Sequence, residues 1–96
     1  MPSDRFRLIK FKKSNTRYKK YDAIIEDIVT KRQQTVPFGD VRYSQYFDST
    51  GLGRYTKLNH NDKKRKQNYL ARHGKTMTKK FSASYFAAKY LWDANI

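Results

Sequence analysis

The 96-residue chain contains no cysteine, only two prolines and only four glycines. Without a thiol it can form neither a disulfide nor a thiolate nucleophile, a composition that fits a reducing compartment. No apolar run approaches the ~18 residues that a membrane-spanning helix requires. The basic N-terminal segment MPSDRFRLIKFKKS also lacks the continuous apolar stretch of a secretory signal. We therefore expect neither a membrane span nor a signal peptide.

Acidic residues are scarce as well. Eight Asp and Glu face 22 Lys and Arg, which leaves a net charge of +14. Such charge repels itself unless nucleic acid, an acidic protein surface or an anionic membrane offsets it. Residues 1–20 hold eight bases against Asp4, and residues 54–80 hold ten against Asp62, whereas residues 21–53 have three bases and five acids. Two basic blocks thus flank a near-neutral middle, and we predict two contact patches.

The hydrophobic fraction of 38% is low for a globular chain, whereas aromatic residues make up 16%. Each buried ring removes about 150–250 Å² from water, so the tyrosines, the phenylalanines and the single tryptophan are the expected core material. A chain of this length is expected to form one basic domain spanning residues 1–96. Within it, an extended basic arm over residues 1–16 is the alternative to an ordered N-terminus.

The first half of the chain shows the two-residue periodicity of strands. Residues 5–11 (RFRLIKF) alternate apolar and basic side chains, although the alternation slips at Leu8 and Ile9. A short strand is therefore predicted there, followed by a turn.

A hairpin is predicted next. Residues 18–29 (YKKYDAIIEDIV) alternate from Tyr21 onward, and residues 34–38 (QTVPF) resume as a strand after a polar turn. Pro37 has no N–H to donate, so its strand should lie at a sheet edge or end there. A helix over residues 21–29 is the competing interpretation, and the isoleucine and valine content favours the strand.

The second half begins with an aromatic loop over residues 39–58, which carries turn signals at its aspartates and glycines. Residues 60–74 (HNDKKRKQNYLARHG) then predict a helix. Asn61 or Asp62 can cap its N-terminus, and Gly74 can end it in the left-handed conformation.

The last predicted element is an apolar helix within FSASYFAAKYLWDA, capped by Ser82 or Ser84. A helix this apolar should be buried, either in the domain or against a partner. Its candidate core or protein–protein anchor residues are Tyr85, Phe86, Tyr90, Leu91 and Trp92. The whole pattern predicts an α+β fold: a small antiparallel sheet of two or three strands, an aromatic loop and two C-terminal helices.

The run KKRK at residues 63–66 contains no interleaved acid. A merely solvated helix usually mixes charges, because opposite charges three or four positions apart stabilise it. We therefore favour contact with a polyanion or an acidic surface over a solvated face. The predicted contact residues of this block are Lys63, Lys64, Arg65, Lys66 and Arg72. Those of the N-terminal block are Arg5, Arg7, Lys10, Lys12, Lys13, Arg17, Lys19 and Lys20.

No pattern in the sequence indicates catalysis. His60 and His73 are too few for a structural zinc site in a chain without cysteine. The acidic group of Asp22, Glu26 and Asp27 is expected to be a solvated face or to pair with the basic blocks. We find no nucleophile elbow, phosphate-binding loop or HExxH motif. No catalytic residue, metal or cofactor is predicted, and the protein is expected not to be an enzyme.

Three segments, VPFGDVRYSQYFD, HNDKKRKQNYLARHG and SYFAAKYLW, resemble a family of small basic proteins of large nucleocytoplasmic DNA viruses that infect algae and amoebae. The matching positions are Phe38, Gly39, Tyr43, Tyr46, His60, Asp62, Lys66, Tyr69, Leu70, Arg72, His73, Leu91 and Trp92. The chain departs from that pattern by an insertion over residues 48–58.

The resemblance implies a viral origin and a place in the virion, with the host cytoplasm or nucleus as the site of assembly. It supplies no reaction. Together with the two basic blocks, it leads us to expect a non-enzymatic structural protein, either a minor capsid protein or an internal virion component. Its expected partners are capsid or other virion proteins with acidic surfaces. The alternative is a nucleic-acid-binding protein that condenses or organises the viral genome through DNA or RNA contacts.

Overall fold

A computed structural model describes residues 5–96. The strands are β1 (Phe6–Lys13), β2 (Tyr21–Asp27) and β3 (Gln33–Phe38), and the helices are α1 (Lys63–His73) and α2 (Ala83–Leu91). The strands form one antiparallel sheet in the order β1-β2-β3. The predicted α+β fold, with its small antiparallel sheet and two C-terminal helices, is confirmed. The sequence also allowed an extended basic arm over residues 1–16. Residues 6–13 of that segment form β1, and residues 1–4 lie outside the described part.

Strand β2 is the centre of the sheet, and the alternation that predicted it determines its packing. Tyr21, Ala23 and Ile25 belong to the core cluster, on the face that α2 covers. Ile24 on the opposite face is 7% exposed. The competing interpretation of residues 21–29 as a helix is wrong, because the β-branched side chains pack well on a pleated surface that has a strand on each side.

The slip in alternation at Leu8 and Ile9 corresponds to a β-bulge in β1. Leu8 pairs with Ile25, whereas Lys10 pairs with Ile24, so one extra residue stands between the two pairs. The bulge shifts the register by one residue beyond Leu8, which places Phe11 on the same core-facing side as Phe6 and Leu8. Leu8 therefore still packs against the core, while Ile9 remains exposed.

Strand β3 lies at a sheet edge, as the proline predicted. Pro37 stands opposite Asp22 of β2, and no described strand pairs with the other side of β3. Its missing N–H therefore breaks no hydrogen bond within the described sheet.

Helix α2 covers the inner face of the sheet. The hydroxyl of Ser82 caps it by accepting a hydrogen bond from the backbone N–H of Tyr85 at 3.1 Å. The Phe86 ring lies 5.6 Å from that of Phe38, centroid to centroid. Tyr85, Phe86 and Leu91 are all below 9% exposed. These predicted anchor residues are therefore buried in the core of their own domain, where a partner protein cannot reach them.

Helix α1 begins as predicted but ends differently. Asp62 accepts hydrogen bonds from the backbone N–H groups of Lys64 and Arg65, at 3.0 and 3.2 Å. Gly74, however, has φ −48° and ψ −43°, so the predicted left-handed stop is wrong. The chain does not reverse there, but continues into a short 3-10 turn at Thr76–Thr78. A right-handed glycine suits this continuation, because the left-handed cap would redirect the chain.

A column of rings fastens α1 to the end of α2. The ring of Tyr69 stacks on that of Trp92, with centroids 4.1 Å apart, and also contacts the imidazole of His73 at 4.4 Å. On the other side, His60 lies 5.2 Å from Trp92 and 6.1 Å from Tyr46. No residue of α1 itself is buried. This ring column therefore provides much of the packing that holds α1 in place.

Within residues 5–96, neither helix has the length and apolar character needed to cross a membrane.

Candidate functional site

A cleft of about 580 Å³ lies between α1, α2 and the loop that follows β3. Lys19 and Lys20 of the N-terminal block line it from one side, and Arg65 and Arg72 of α1 line it from the other. Part of each basic block therefore meets at one site, although the sequence predicted two patches. Tyr43, Tyr69, Trp92, Asn68 and Ser84 are among the other lining residues.

Lys20 was predicted as a contact residue, but its side chain is buried at 2% exposure. Its ammonium group donates hydrogen bonds to the backbone carbonyl of Tyr43 at 2.8 Å and to Oε1 of Gln45. Burial lowers the pKa of Lys20 to about 8, although Asp40 and Asp48 oppose that change. The assignment of Lys20 as a surface contact is thus wrong, because its side chain is buried and its ammonium group donates to two partners inside the fold.

A buried polar network continues from Lys20. Gln45, which is fully buried, donates to Oδ1 of Asn59 at 2.6 Å, and the same oxygen accepts from the backbone N–H of Asp48 at 2.9 Å. The Tyr21 hydroxyl donates to Asp48 at 2.5 Å. Burial and this hydrogen bond raise the pKa of Tyr21 to about 12. The network orders the aromatic loop beside the cleft, since buried polar groups must find partners.

Gly39 closes the turn between β3 and this loop. It has φ +76°, and a Cβ atom there would lie 2.9 Å from Cδ1 of Leu91 and 3.1 Å from Cβ of Lys20. Only glycine satisfies both the left-handed backbone and the close approach. The FG pair noted in the sequence therefore brings the loop against α2 and forms one wall of the cleft.

The cations of α1 differ in their availability. Lys63 and Lys64 are exposed, and neither forms an ion pair with a described residue. Arg65 donates to the hydroxyl of Ser44 at 2.8 Å, which leaves its charge without a described acidic partner. Arg72, at the far end of the same helix face, is exposed and unpaired among residues 5–96.

Lys66 faces inward, unlike the other members of the run. Its ammonium group lies 3.4 Å from a carboxylate oxygen of Asp93 and 5.0 Å from the centre of the Tyr46 ring. These contacts tie α1 to the end of α2 and to the aromatic loop. Lys66 therefore contributes to docking the helix, and its charge is partly offset within the chain.

The acidic group on β2 neutralises part of the N-terminal block. Three ion pairs join the region of β1 to β2. They are Arg5–Asp27 at 2.8 Å, Arg7–Glu26 at 2.9 Å and Lys12–Asp22 at 3.9 Å, and Arg5 lies just before β1. Of the two roles considered for these acids, pairing with the basic block is the one the structure shows. Lys10 and Lys13 remain exposed without an ion pair to any residue of the described segment.

Arginines and exposed tyrosines alternate beside the cleft. The guanidinium carbons of Arg17 and Arg42 lie 4.7 and 4.2 Å from the centre of the Tyr18 ring. Tyr18 is 41% exposed, and Tyr43 on the cleft rim is 64% exposed. Arg42 also binds both carboxylate oxygens of Asp40, at 3.0 and 2.7 Å. Its hydrogen bonds lower the pKa of Asp40 to about 2, so the one acid lining the cleft is held in an ion pair.

The imidazole of His60 packs between the rings of Tyr46 and Trp92. Its Nδ1 accepts a hydrogen bond from the backbone N–H of Asp62 at 2.9 Å, and its Nε2 is buried without a described partner. Burial lowers the pKa of His60, and the nearby charge of Arg65 adds to this effect while Asp62 opposes it. No three metal-ligating side chains gather anywhere in the part of the chain that the structure describes.

Comparison with known families gives one match. Residues 9–73 match the model of a family of unknown function (DUF5754), and the chain belongs to that family. The matched segment includes β2, β3, the aromatic loop and α1, and ends before α2. Comparisons with curated proteins and with solved structures found no match.

Proposed function

We propose that this protein is a non-enzymatic structural component of a large DNA virus particle, either a minor capsid protein or an internal virion protein. It binds acidic surfaces of neighbouring virion proteins through the cations on α1 and around the cleft. In this proposal the protein resides in the virion and reaches it from the host cytoplasm or nucleus during assembly. The viral part rests on the sequence resemblance, and the binding part on the arrangement of charges.

The main support for the proposal is that every described Asp and Glu side chain already has a partner within the chain. Five described acids form ion pairs with Lys or Arg. Of the other two, Asp48 accepts from Tyr21 and Thr50, and Asp62 caps α1. The exposed cations of α1 therefore have no free Asp or Glu side chain within the described residues to offset them. An external acidic partner would relieve this repulsion on binding.

The first turn of α1 sharpens this argument. The positive end of a helix dipole favours anions, yet Lys63, Lys64 and Arg65 occupy it, with Asp62 as the only acid there. Each misplaced cation costs a few tenths of a kcal/mol at an exposed helix end. This placement makes sense if the turn faces a negative surface, where the same cations become favourable.

The proposal can be tested by measuring retention on immobilised poly-L-glutamate in a salt gradient. Replacing Lys63, Lys64 and Arg65 with glutamine should make the protein elute at lower salt, because screened surface contacts with the polyanion are lost. Replacing Lys75, Lys79 and Lys80 with glutamine is the control of equal charge outside α1. Equal shifts for both variants would show that only net charge matters and would contradict a specific role for α1.

Location in the particle tests the viral part of the proposal. Gentle stripping of the virion shell should release the protein with shell proteins. If it stays with the genome instead, the assignment as a minor capsid protein is wrong.

The second candidate is binding to viral nucleic acid, and one observation favours it. Tyr18 and Tyr43 are exposed beside Arg17 and Arg42, and proteins that bind single strands combine cations with rings on which bases stack. Filter binding across a salt series distinguishes this candidate, because each neutralised phosphate adds about 0.7–0.9 to the slope of log affinity against log salt. Absence of binding to DNA and RNA at low salt would exclude it.

A further inference from the structure

The cleft combines an apolar floor with a cationic rim. Ala83 and Ala87 of α2, which are both partly exposed, form the floor. Lys19, Arg65 and Arg72 lie around it. Its volume of about 580 Å³ falls within the range of about 300–1,000 Å³ that is usual for ligand sites. A purely electrostatic contact would not require such a floor.

Tyr69 and Trp92, two of the rings that line the cleft, do not form a stacking platform. Trp92 and Tyr69 lie face to face, with only 3° between their planes, and Tyr69 also contacts His73. The faces of these rings are already in contact with one another. A nucleobase could stack there only by displacing the packing that holds α1 in place. The edges of these rings and the methyl groups of the two alanines suit an aliphatic or aromatic side chain better than a row of stacked bases.

The polar groups of the cleft fit a peptide with carboxylates. Arg65 and Arg72 are seven positions apart and Asn68 lies between them, so all three share one face of α1. An arginine guanidinium matches a carboxylate with two parallel hydrogen bonds. The amide of Asn68 can both donate to and accept from a peptide backbone.

We infer that this cleft binds an acidic segment of a partner protein that carries one large apolar side chain among its carboxylates. The apolar side chain lies on the floor formed by Ala83 and Ala87, and the flanking carboxylates contact Arg65 and Arg72. This inference rests on the proposed function and specifies its partner: a short acidic and apolar sequence, as opposed to any negative surface.

Fluorescence anisotropy with two labelled peptides tests the inference. One is a decapeptide of Glu and Gly with a single central Phe, and the other has Ser in place of Phe. The Phe peptide should bind about tenfold more tightly, since partial burial of the ring contributes a factor of that size. Arg72→Gln should weaken binding of the Phe peptide about two- to fivefold, as expected for one exposed charge pair.

Lys75→Gln is the matched control, because it removes one exposed positive charge just after α1 at a residue that does not line the cleft. It should leave the affinity for the Phe peptide within twofold of the unmodified protein. Both replacements are at exposed positions, and thermal unfolding checks that each variant is folded.

The outcomes separate this inference from the proposed function. Equal affinity for the two peptides, or equal losses for Arg72→Gln and Lys75→Gln, would overturn the peptide cleft while leaving general binding to acidic surfaces intact. If, in addition, the unmodified protein is not retained on poly-L-glutamate, both the peptide cleft and the proposed function are overturned. If oligo-dT displaces the Phe peptide and binds in an Arg72-dependent manner more tightly than the peptide, the cleft takes nucleic acid and the inference is wrong.

Discussion

The indole of Trp92 lies flat against the phenol ring of Tyr69, with centroids 4.1 Å apart and 3° between the planes. This contact joins the C-terminal end of α2 to the middle of α1, and α1 has no buried residue of its own. The position of the basic face of α1 therefore depends on this pair of rings, together with the contacts of Lys66 with Asp93 and Tyr46.

Replacing Tyr69 with leucine should loosen α1. An aromatic pair contributes about 0.5–1.5 kcal/mol beyond the area it buries, so the free energy of unfolding should fall by about 1–2 kcal/mol. Trp92 is the only tryptophan, and its fluorescence emission should shift to longer wavelength as water reaches the indole. Tyr69→Phe keeps the ring and should behave like the unmodified protein. An unchanged emission in Tyr69→Leu would show that the stack does not hold the helix.

Replacing Gly39 with alanine should lower the free energy of unfolding in urea by at least about 2 kcal/mol. The new methyl group would collide with Leu91, and an alanine at this positive φ would also be strained. Gly51→Ala is the control, since Gly51 has φ +86° but no atom within 4 Å of the point where a Cβ would lie. It should cost only the backbone strain, about 1 kcal/mol. Equal losses for the two variants would mean that the close approach to Leu91 is unimportant.

The lowered pKa of Lys20 should make the folded protein more stable as the pH rises above about 8. Its pKa is lowered from 10.5 to about 8 in the folded protein, so between these values the unfolded chain retains a proton that the folded chain has lost. Since stability increases with pH wherever the unfolded state binds more protons, the free energy of unfolding should rise from about pH 8 upward. Below pH 8 both states are protonated, and this contribution is constant.

Urea unfolding at pH 7, 8, 9 and 10 measures this effect. Lys20→Met is the reference, because all other lysines titrate in both proteins. The difference in free energy of unfolding between the two proteins should grow across this range in favour of the unmodified chain. A constant difference would indicate that Lys20 has an ordinary pKa in the fold.

Replacing Asp62 with alanine should remove the cap of α1. The carboxylate accepts from two backbone N–H groups at the first turn, and the loss of such a cap costs about 1 kcal/mol. Helicity measured by circular dichroism should fall. Asp62→Asn keeps the acceptor and removes the charge, so it should cost only about 0.3–1 kcal/mol through the helix dipole. A larger loss for asparagine than for alanine would contradict the capping role.

The strands and both helix starts could be predicted from the sequence because each depends on local patterns. The alternation from Tyr21 follows from the pleat of a strand. The slip in the separate alternation of β1, at Leu8 and Ile9, was noted in the sequence without a cause, and the structure shows a bulge there. The caps at Asp62 and Ser82 need only a side-chain oxygen within three residues of a free N–H group. The end of α1 at Gly74 could not be predicted in this way, because it depends on where the following turn has to go.

The candidate site was only partly predictable. Arg65 and Arg72 were assigned to a contact surface, and they line the cleft. Lys20 was assigned to the same role but is buried, since its partners Tyr43 and Gln45 lie 23 and 25 positions further along the chain. Nothing in the sequence around Gln45 indicates that its amide is fully buried. Burial by distant segments leaves no local periodic signal.

The sequence by itself determined the α+β class, the element starts and a large excess of positive charge, because these follow from side-chain periodicity, capping chemistry and counting. The tertiary structure alone decided which charges remain available. It paired Arg5, Arg7 and Lys12 with acids on β2, buried Lys20 and left Arg72 beside an apolar floor. The physical reason is that charge neutralisation and desolvation depend on distances between atoms, and residues far apart in the chain acquire those distances only when it folds.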